Sequence, residues 1–178
     1  MALIFISGTA GTGKSTICRV LKGRGYEAYD VDSEGFAHWH NLKTGYIHPK
    51  SSVKAADRTP EFLKVHGWHV VRDKVVYLRE QSRGHLIFLC GDIGNEAELD
   101  DLFDATFVLH VDDETLKHRL SARTGNDWGW QPHELQRSLE KHHSSYRAYQ
   151  DNGATIIDAT QPVEKVADQI LLAAKKVQ

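Results

Sequence analysis

The sequence is poor in cysteine, and this scarcity excludes several kinds of protein. Its 178 residues include only two cysteines, Cys18 and Cys90, each within an apolar run and neither in a CxxC or CxxH pair. A disulfide framework or a cysteine-ligated zinc site is therefore not expected. We interpret both residues as reduced core thiols of a cytoplasmic protein.

The sequence also lacks an excess of charge and a long apolar run. Twenty-two Lys and Arg stand against 24 Asp and Glu, for a formal net charge of −2. Binding to duplex DNA or to an anionic membrane depends on surplus positive charge, so neither partner is expected. No apolar run approaches the roughly 20 residues of a membrane-spanning helix, and no basic leader precedes residues 2–7. We expect a cytoplasmic monomer or homodimer whose partner is a small molecule.

What the sequence does contain is an alternation of strand and helix patterns along its whole length. Helical patterns lie between the strands: one closes at Gly23 and Gly25, one spans about 60–83, one spans 112–123, and the last two open near Pro132 and Pro162. The strand patterns cover residues 3–6, 26–31, 86–90, 106–111 and 154–157. Such alternation predicts one α/β domain over residues 1–178, with a five-stranded parallel sheet covered by helices on both faces.

A phosphate-binding motif follows the first strand pattern. Residues 8–15, GTAGTGKS, fit G-x-x-x-x-G-K-[ST], and they lie between an apolar strand and an amphipathic helix, the context that separates the motif from a chance glycine-rich turn. Glycines let backbone N–H groups turn inward around phosphates, while Lys14 adds charge and the Ser15 hydroxyl can bind Mg²⁺. The motif predicts ATP and Mg²⁺ as cofactors. The expected nucleotide contacts here are Gly8, Thr9, Ala10, Gly11, Thr12, Gly13, Lys14, Ser15 and Thr16.

Two aspartates end the second strand pattern, in the sequence YDVD. Because the carboxyl ends of neighbouring parallel strands share one crevice, Asp30 and Asp32 should face the phosphates. One carboxylate would orient Mg²⁺, and the other would accept the proton of an attacking hydroxyl. The competing interpretation is that one of them only caps the next turn.

The acceptor pocket is expected from residues 33–70, which are rich in His, Trp and Tyr. The pair His38-x-His40 lacks a companion set of metal ligands, so a metal site is not favoured. Arg72 either contacts an anionic acceptor or belongs to a solvated helix face.

Two arginines, Arg119 and Arg123, are one helical turn apart, just before a loop that contains two glycines and two tryptophans. Loose phosphoryl transition states need cations that arrive as a site closes, so residues 124–132 are predicted to form a short lid with Arg123 as a catalytic cation. An exposed helix end with favourable dipole interactions is the alternative.

Together these segments resemble the nucleoside/nucleotide-kinase-like group of P-loop kinases, particularly the shikimate and gluconate kinase branch. The resemblance covers nearly the whole chain and lies in GTAGTGKST, YDVD, HVDDETLKHRLSART and IIDATQPVEKVADQIL. It implies the three-layer P-loop NTPase fold and the kinase activity. It also implies that Gln161, Pro162 and Arg119 surround the adenine, that Asp30 is the magnesium aspartate, and that Asp32 binds the acceptor.

Two departures from the family pattern bear on the acceptor. The Gly-Gly-Gly run that shikimate kinases have after their third strand is here Cys90-Gly91-Asp92-Ile93-Gly94, which leaves Gly91 as the residue assigned to the acceptor site. Glu140 aligns with the arginine that clamps the carboxylate of shikimate, although Arg72 falls near the other carboxylate-binding arginines. Shikimate is therefore not expected.

Several functions are compatible with these features. The main hypothesis is an ATP-dependent small-molecule kinase that uses a hydroxyl acceptor such as a nucleoside or sugar, with Lys14, Asp32 and Arg123 as catalytic residues. A nucleoside monophosphate kinase would need several acceptor-side arginines, and residues 33–70 contain only Arg58. A GTPase-type switch lacks its N-K-x-D segment. A nucleotide-binding regulator without turnover is disfavoured, because the catalytic set is present together.

Overall fold

The computed structural model describes residues 2–49, 52–124 and 127–177. Its strands are β1 (Leu3–Ser7), β2 (Glu27–Asp30), β3 (Ala37–Asn41), β4 (His66–Val70), β5 (Ile87–Cys90), β6 (Ala105–His110) and β7 (Thr155–Asp158). Its helices are α1 (Lys14–Gly23), α2 (Pro60–Val65), α3 (Arg72–Gln81), α4 (Asp113–Ala122), α5 (Pro132–Asp151) and α6 (Val163–Ala174). Gly125, which the sequence assigns to the lid, lies outside the described residues.

Five strands form one parallel sheet in the order β2-β5-β1-β6-β7. All five residues of the central strand β1 are buried. Leu3 and Phe5 pack in one apolar cluster with α3, whereas Ile4 and Ile6 pack in a second with α1 and α6. Alternate side chains of one strand thus reach opposite layers, which confirms the predicted α/β fold with helices on both faces.

The predicted helix over residues 60–83 is wrong in its middle. It begins at Pro60 as expected, with the Thr59 hydroxyl accepting a hydrogen bond from the Phe62 amide at 3.2 Å. Residues 66–70 then form β4, which pairs antiparallel with β3 as a separate two-stranded ribbon. Because the pairing partner lies far away in the chain, helix periodicity over this window could not reveal the strand.

The other predicted elements are present, with ends shifted by a few residues. Helix α4 begins after Asp112, whose carboxylate accepts the Thr115 amide at 2.8 Å. Helix α5 begins at Pro132 and continues to Asp151. Within the described residues, none of the helices combines the length and the apolar character that crossing a membrane requires.

Candidate nucleotide and acceptor site

The phosphate loop between β1 and α1 depends on glycine. Gly8, Gly11 and Gly13 have φ angles of 135°, 92° and 106°, a region that residues with a side chain rarely adopt. A Cβ on Gly8 would also lie 2.6 Å from the carbonyl oxygen of Leu109. The loop can therefore keep this shape only with glycine at these positions.

The carbonyl of Thr9 organises the inside of this loop. It accepts hydrogen bonds from the Lys14 ammonium at 2.8 Å and from the Thr12 hydroxyl at 2.9 Å. Burial lowers the pKa of Lys14, while the nearby carboxylates of Asp92 and Asp32 oppose that shift. The lysine thus rests at the loop, facing two carboxylates.

Most of the predicted nucleotide contacts line one large cavity, of about 1490 Å³, which extends from the carboxyl edge of the sheet to the first residues of β6 and β7. Ser15 and Thr16 are exposed at the start of α1, where their groups are accessible to a ligand. The predicted contacts that line the cavity are Ala10, Gly11, Gly13, Lys14, Ser15, Thr16 and Arg119.

Asp30, the last residue of β2, and Asp32, two residues later, have different surroundings. The Asp30 carboxylate accepts the backbone N–H groups of Asp32 and Ser33, both at 3.0 Å, and so caps the turn that follows the strand. The Asp32 carboxylate lines the cavity and accepts the indole N–H of Trp68 at 2.9 Å. Burial raises the pKa of Asp32, with Lys14 acting in the opposite direction. Asp32 is thus the better placed of the two to meet an acceptor.

Asp92, at the end of β5, is a site residue that the sequence analysis missed. One of its carboxylate oxygens accepts the backbone N–H of Ala10 in the phosphate loop at 3.1 Å, and the other pairs with Lys141. In the sequence analysis Asp92 appears only as one residue of the segment 90–94, which stands where shikimate kinases have a run of three glycines. The strand order brings it to the loop, because β5 lies directly beside β1.

Helix α5 brings two cations to the cavity, Arg137 and Lys141, one turn apart. The sequence analysis considered only Glu140 on this helix and did not predict these two cations. Glu140 is exposed and accepts a hydrogen bond from Gln136 at 2.8 Å. Burial opposes the charge of Lys141, but the carboxylate of Asp92 outweighs it and raises the pKa of the lysine.

Three predicted acceptor-side residues, Asp30, Arg72 and Gly91, are not among those that line the cavity. Arg72 is exposed and donates to the carboxylate of Asp101 at 2.9 Å. Gly91 is buried, and a Cβ there would lie 2.3 Å from a methyl group of Val31, so this glycine serves close packing between strands. The alternative role that the sequence left open for Arg72, a solvated helix face, fits its position.

Aromatic side chains form one wall of the cavity. Trp39 lies 5.4 Å from Trp68 and 6.1 Å from Trp128, measured between ring centroids. All of these rings line the cavity together with Asp32. We call Asp32, Trp39, Trp68 and Trp128 the acceptor wall.

His38 and His40 alternate with Trp39 along β3 and so belong to the other face of the ribbon. The His40 ring lies 5.4 Å from that of His69. In residues 2–49, 52–124 and 127–177, no group of three or more His, Cys, Asp or Glu side chains is arranged to hold a metal ion.

Arg58 lies in the predicted acceptor segment, residues 33–70, and its ion pairs connect this segment to the lid and to α5. Its guanidinium donates to the buried carboxylate of Glu134 at 2.6 Å and to that of Asp127 at 3.0 Å. The His133 ring donates to the Arg58 carbonyl at 2.7 Å, and the Gly129 amide donates to Glu134 at 2.9 Å. The positive charge of Arg58 is thus already paired within the protein.

Arg119 of α4 and Arg123, the residue after the helix end, both line the cavity. Arg119 donates to the carbonyl of Thr12 at 3.3 Å and to that of Ala159 at 3.0 Å. Gln161 and Pro162, the other predicted adenine contacts, follow Ala159 in the chain but are not among the residues that line the cavity. Arg123 lines the same cavity; burial lowers its pKa, and the Asp32 carboxylate opposes this shift.

A glycine nest at the carboxyl edge of a parallel sheet, with a lysine and a serine opening the next helix, defines an α/β domain of the P-loop class. The chain belongs to the AAA domain family, whose model matches residues 4–141. A comparison with curated protein sequences gives no significant match.

Solved structures of similar fold cover nearly the whole chain. The shikimate kinase from Aquifex aeolicus is 19% identical, with 98% of this chain and 96% of that chain covered and a TM-score of 0.55. A sugar kinase from Janibacter sp. is 20% identical, with 96% and 92% covered and a TM-score of 0.54. A gluconokinase from Sinorhizobium meliloti is 18% identical, with 98% and 91% covered and a TM-score of 0.51. At such identities the likeness shows the fold.

Proposed function

We propose that this protein transfers the γ-phosphate of ATP, with Mg²⁺, to a hydroxyl group of a small molecule such as a nucleoside or sugar. The observation that carries the proposal is one shared cavity. Lys14 and Asp32 line it, the aromatic rings lie on the Asp32 side, and Lys14 and Asp32 are close enough to influence each other's pKa. The names of the structural relatives, which are kinases of small molecules, agree with this activity.

The residues present fit ATP and magnesium. The loop has a positive φ at Gly8, Gly11 and Gly13, the conformation in which backbone N–H groups form an anion-binding nest, and Lys14 adds a positive charge for phosphate oxygens. The Ser15 hydroxyl is exposed at the first turn of α1, and it lines the cavity together with the carboxylates of Asp32 and Asp92, which are oxygen ligands of the kind that Mg²⁺ prefers. When bound, Mg²⁺ would neutralise charge on the phosphates.

In the proposed reaction, the acceptor oxygen forms a bond to the γ-phosphorus as the bond to the bridging oxygen of ADP breaks. Asp32 accepts the hydroxyl proton, and the Trp68 indole keeps its carboxylate oriented. Lys14 and Arg123 stabilise the charge of the moving phosphoryl group. The rings of the acceptor wall exclude water and would stack on a sugar or base.

A nucleoside monophosphate kinase is the second candidate, because Arg137 and Lys141 line the cavity. Lys141 is already paired with Asp92, and Arg58 with Glu134 and Asp127, so Arg137 is the cation that an acceptor phosphate would use. Two guanidinium forks would offset repulsion from Asp32 better than one. The hydroxyl acceptor therefore remains the preferred hypothesis.

A paired substrate panel separates the two candidates. Nucleosides and their matching monophosphates, with sugars and polyols alongside, are each offered with ATP and Mg²⁺, and kcat/KM is obtained from ADP release. We expect a hydroxyl compound without phosphate to give the highest value. Consistent preference for monophosphates, reduced in Arg137→Ala and not in the exposed-pair control Arg72→Ala, would establish the nucleotide kinase instead.

A further inference from the structure

One buried histidine of α5 contacts the phosphate loop directly. His142 is 4% exposed, and its Nδ1 lies 2.8 Å from the hydroxyl of Thr9, the second residue of the phosphate motif. Its Nε2 lies 2.7 Å from the carbonyl oxygen of Val111, just after β6. The ring of His110 stacks against it, with centroids 4.6 Å apart and planes 14° apart. Both ring nitrogens and the ring face are therefore engaged.

The direction of these hydrogen bonds follows from the Val111 carbonyl. A carbonyl oxygen only accepts, so Nε2 of His142 must carry the proton and donate it. In the neutral imidazole Nδ1 is then an acceptor, and the hydroxyl of Thr9 donates to it. The side chain of Thr9 is thus held by the end of β6 through one imidazole.

Thr9 in turn determines where Lys14 lies, since its carbonyl accepts the Lys14 ammonium at 2.8 Å. The neighbour of His142 on α5, Lys141, pairs with Asp92, which accepts the N–H of Ala10. His142 therefore contacts Thr9 directly, and the preceding residue, Lys141, is linked to Ala10 through Asp92. The same helix presents Arg137 and Lys141 to the cavity.

We propose that His142 is a positioning residue that holds the phosphate loop in its nucleotide-binding shape through the Thr9 hydroxyl, so that the loop and α5 form one rigid unit. This inference rests on the proposed ATP-binding function. A purely structural histidine would contribute to folding stability, and its loss would leave the nucleotide affinity of the folded protein unchanged.

A double-mutant cycle on ATP·Mg²⁺ affinity, measured by calorimetry, tests the proposal. His142→Phe keeps the stacked ring and removes both nitrogens, and Thr9→Val removes the hydroxyl while keeping the side-chain shape. We expect each to weaken binding about 3- to 10-fold, the effect of one lost hydrogen bond. The double variant should have the same ATP·Mg²⁺ affinity as the single variant that binds less tightly, because each substitution removes the same contact between Thr9 and His142.

Controls separate positioning from stability. His143→Gln alters the next residue, which is exposed and pairs with Asp113, and should bind ATP·Mg²⁺ like the wild type. Thr9→Ser keeps the hydroxyl that Thr9→Val removes, so it should bind ATP·Mg²⁺ with wild-type affinity. This comparison of Thr9→Ser with Thr9→Val remains valid even if His142→Phe does not fold. Wild-type affinity in Thr9→Val, or additive losses of affinity in the double variant, would overturn this inference and leave the proposed function intact. Absence of ATP·Mg²⁺ binding by the wild-type protein would overturn the proposed function and this inference with it.

Discussion

The phosphate loop takes nearly all of its groups from residues 8–16, whereas the acceptor wall collects side chains from the turn after β2, the β3–β4 ribbon and the lid. In the loop, the proposed phosphate contacts are mostly backbone groups, and three glycines with positive φ determine the local conformation. In the wall, side chains from distant stretches must be held together by tertiary contacts such as those of Arg58. The loop depends on distant residues at a few contacts, such as those of His142 with Thr9 and of Asp92 with Ala10, whereas every member of the wall depends on them.

The largest effect is expected at the loop itself. Lys14→Ala should reduce turnover by on the order of 10³-fold or more while the fold is retained, because this ammonium is the loop's charge for the transferring phosphate. Circular dichroism and ADP release measure the two properties. Lys22→Ala, an exposed lysine of the same helix that pairs with Glu34, is the matched control and should be as active as wild type. Near wild-type turnover in Lys14→Ala would refute the phosphate-loop assignment.

On the acceptor side, Asp32→Asn should lower kcat by about 10²–10⁴-fold with little change in ATP affinity, because a proton-accepting carboxylate acts in the transition state. Asp30→Asn is the comparison, since the Asp30 carboxylate caps a turn. An unchanged kcat in Asp32→Asn with a large loss in Asp30→Asn would exchange the roles of the two aspartates.

The pH dependence of kcat offers a second check on Asp32. Burial raises its pKa above the ordinary aspartate value of about 3.9. A base works only when deprotonated, so kcat should fall as the pH drops through that raised pKa, at a higher pH than for an ordinary aspartate. An acid limb at or below the ordinary value would show that another group is the base.

The support of the assembled region is tested by Arg58→Ala. Removing this guanidinium leaves Glu134, whose side chain is 0% exposed, as an unpaired buried carboxylate, and such a loss costs about 3–5 kcal/mol. The free energy of unfolding from urea titration should fall accordingly. Arg72→Ala breaks an exposed pair with Asp101 and should change stability little. Equal effects of the two substitutions would mean that Arg58 does not support the wall.

The smallest expected effect is spectroscopic. Trp128 packs near Trp39 and donates its indole N–H to Ser138 at 3.0 Å, so ATP·Mg²⁺ binding should change intrinsic fluorescence through Trp128. Trp128→Phe should remove most of that change. Trp130→Phe, in which a 60% exposed ring is replaced, should keep it. A signal that persists in Trp128→Phe and disappears in Trp39→Phe would place the moving element in the acceptor segment.

The same contrast decides what the sequence could predict. The glycine motif, the flanking strand and the helix that it opens are contiguous, so the phosphate loop follows from residues 8–16 alone. The ribbon of β3 and β4 does not, because its pairing joins stretches far apart in the chain. Asp92 required the strand order, which places β5 beside β1 and cannot be derived from strand patterns.

Helix α5 shows that one position of a helix does not predict the surroundings of the next. At 3.6 residues per turn, neighbouring positions point about 100° apart around the helix. Glu140 is exposed, whereas Lys141, the next residue, lines the cavity. The exposed carboxylate at position 140 therefore gives no indication of the cavity cation at position 141. His142, the next residue again, is buried against Thr9.

The measurement that tests the central claim most directly follows the phosphate itself. ATP labelled on its γ-phosphate is incubated with Mg²⁺ and the hydroxyl panel, and the products are separated and identified by mass. We predict that the label moves to an organic hydroxyl as a phosphate ester, in amounts equal to the ADP formed, and that Lys14→Ala forms neither product. Release of the label only as inorganic phosphate, or its transfer only to nucleoside monophosphates added beside the panel, which would give labelled nucleoside diphosphates, would contradict a hydroxyl kinase.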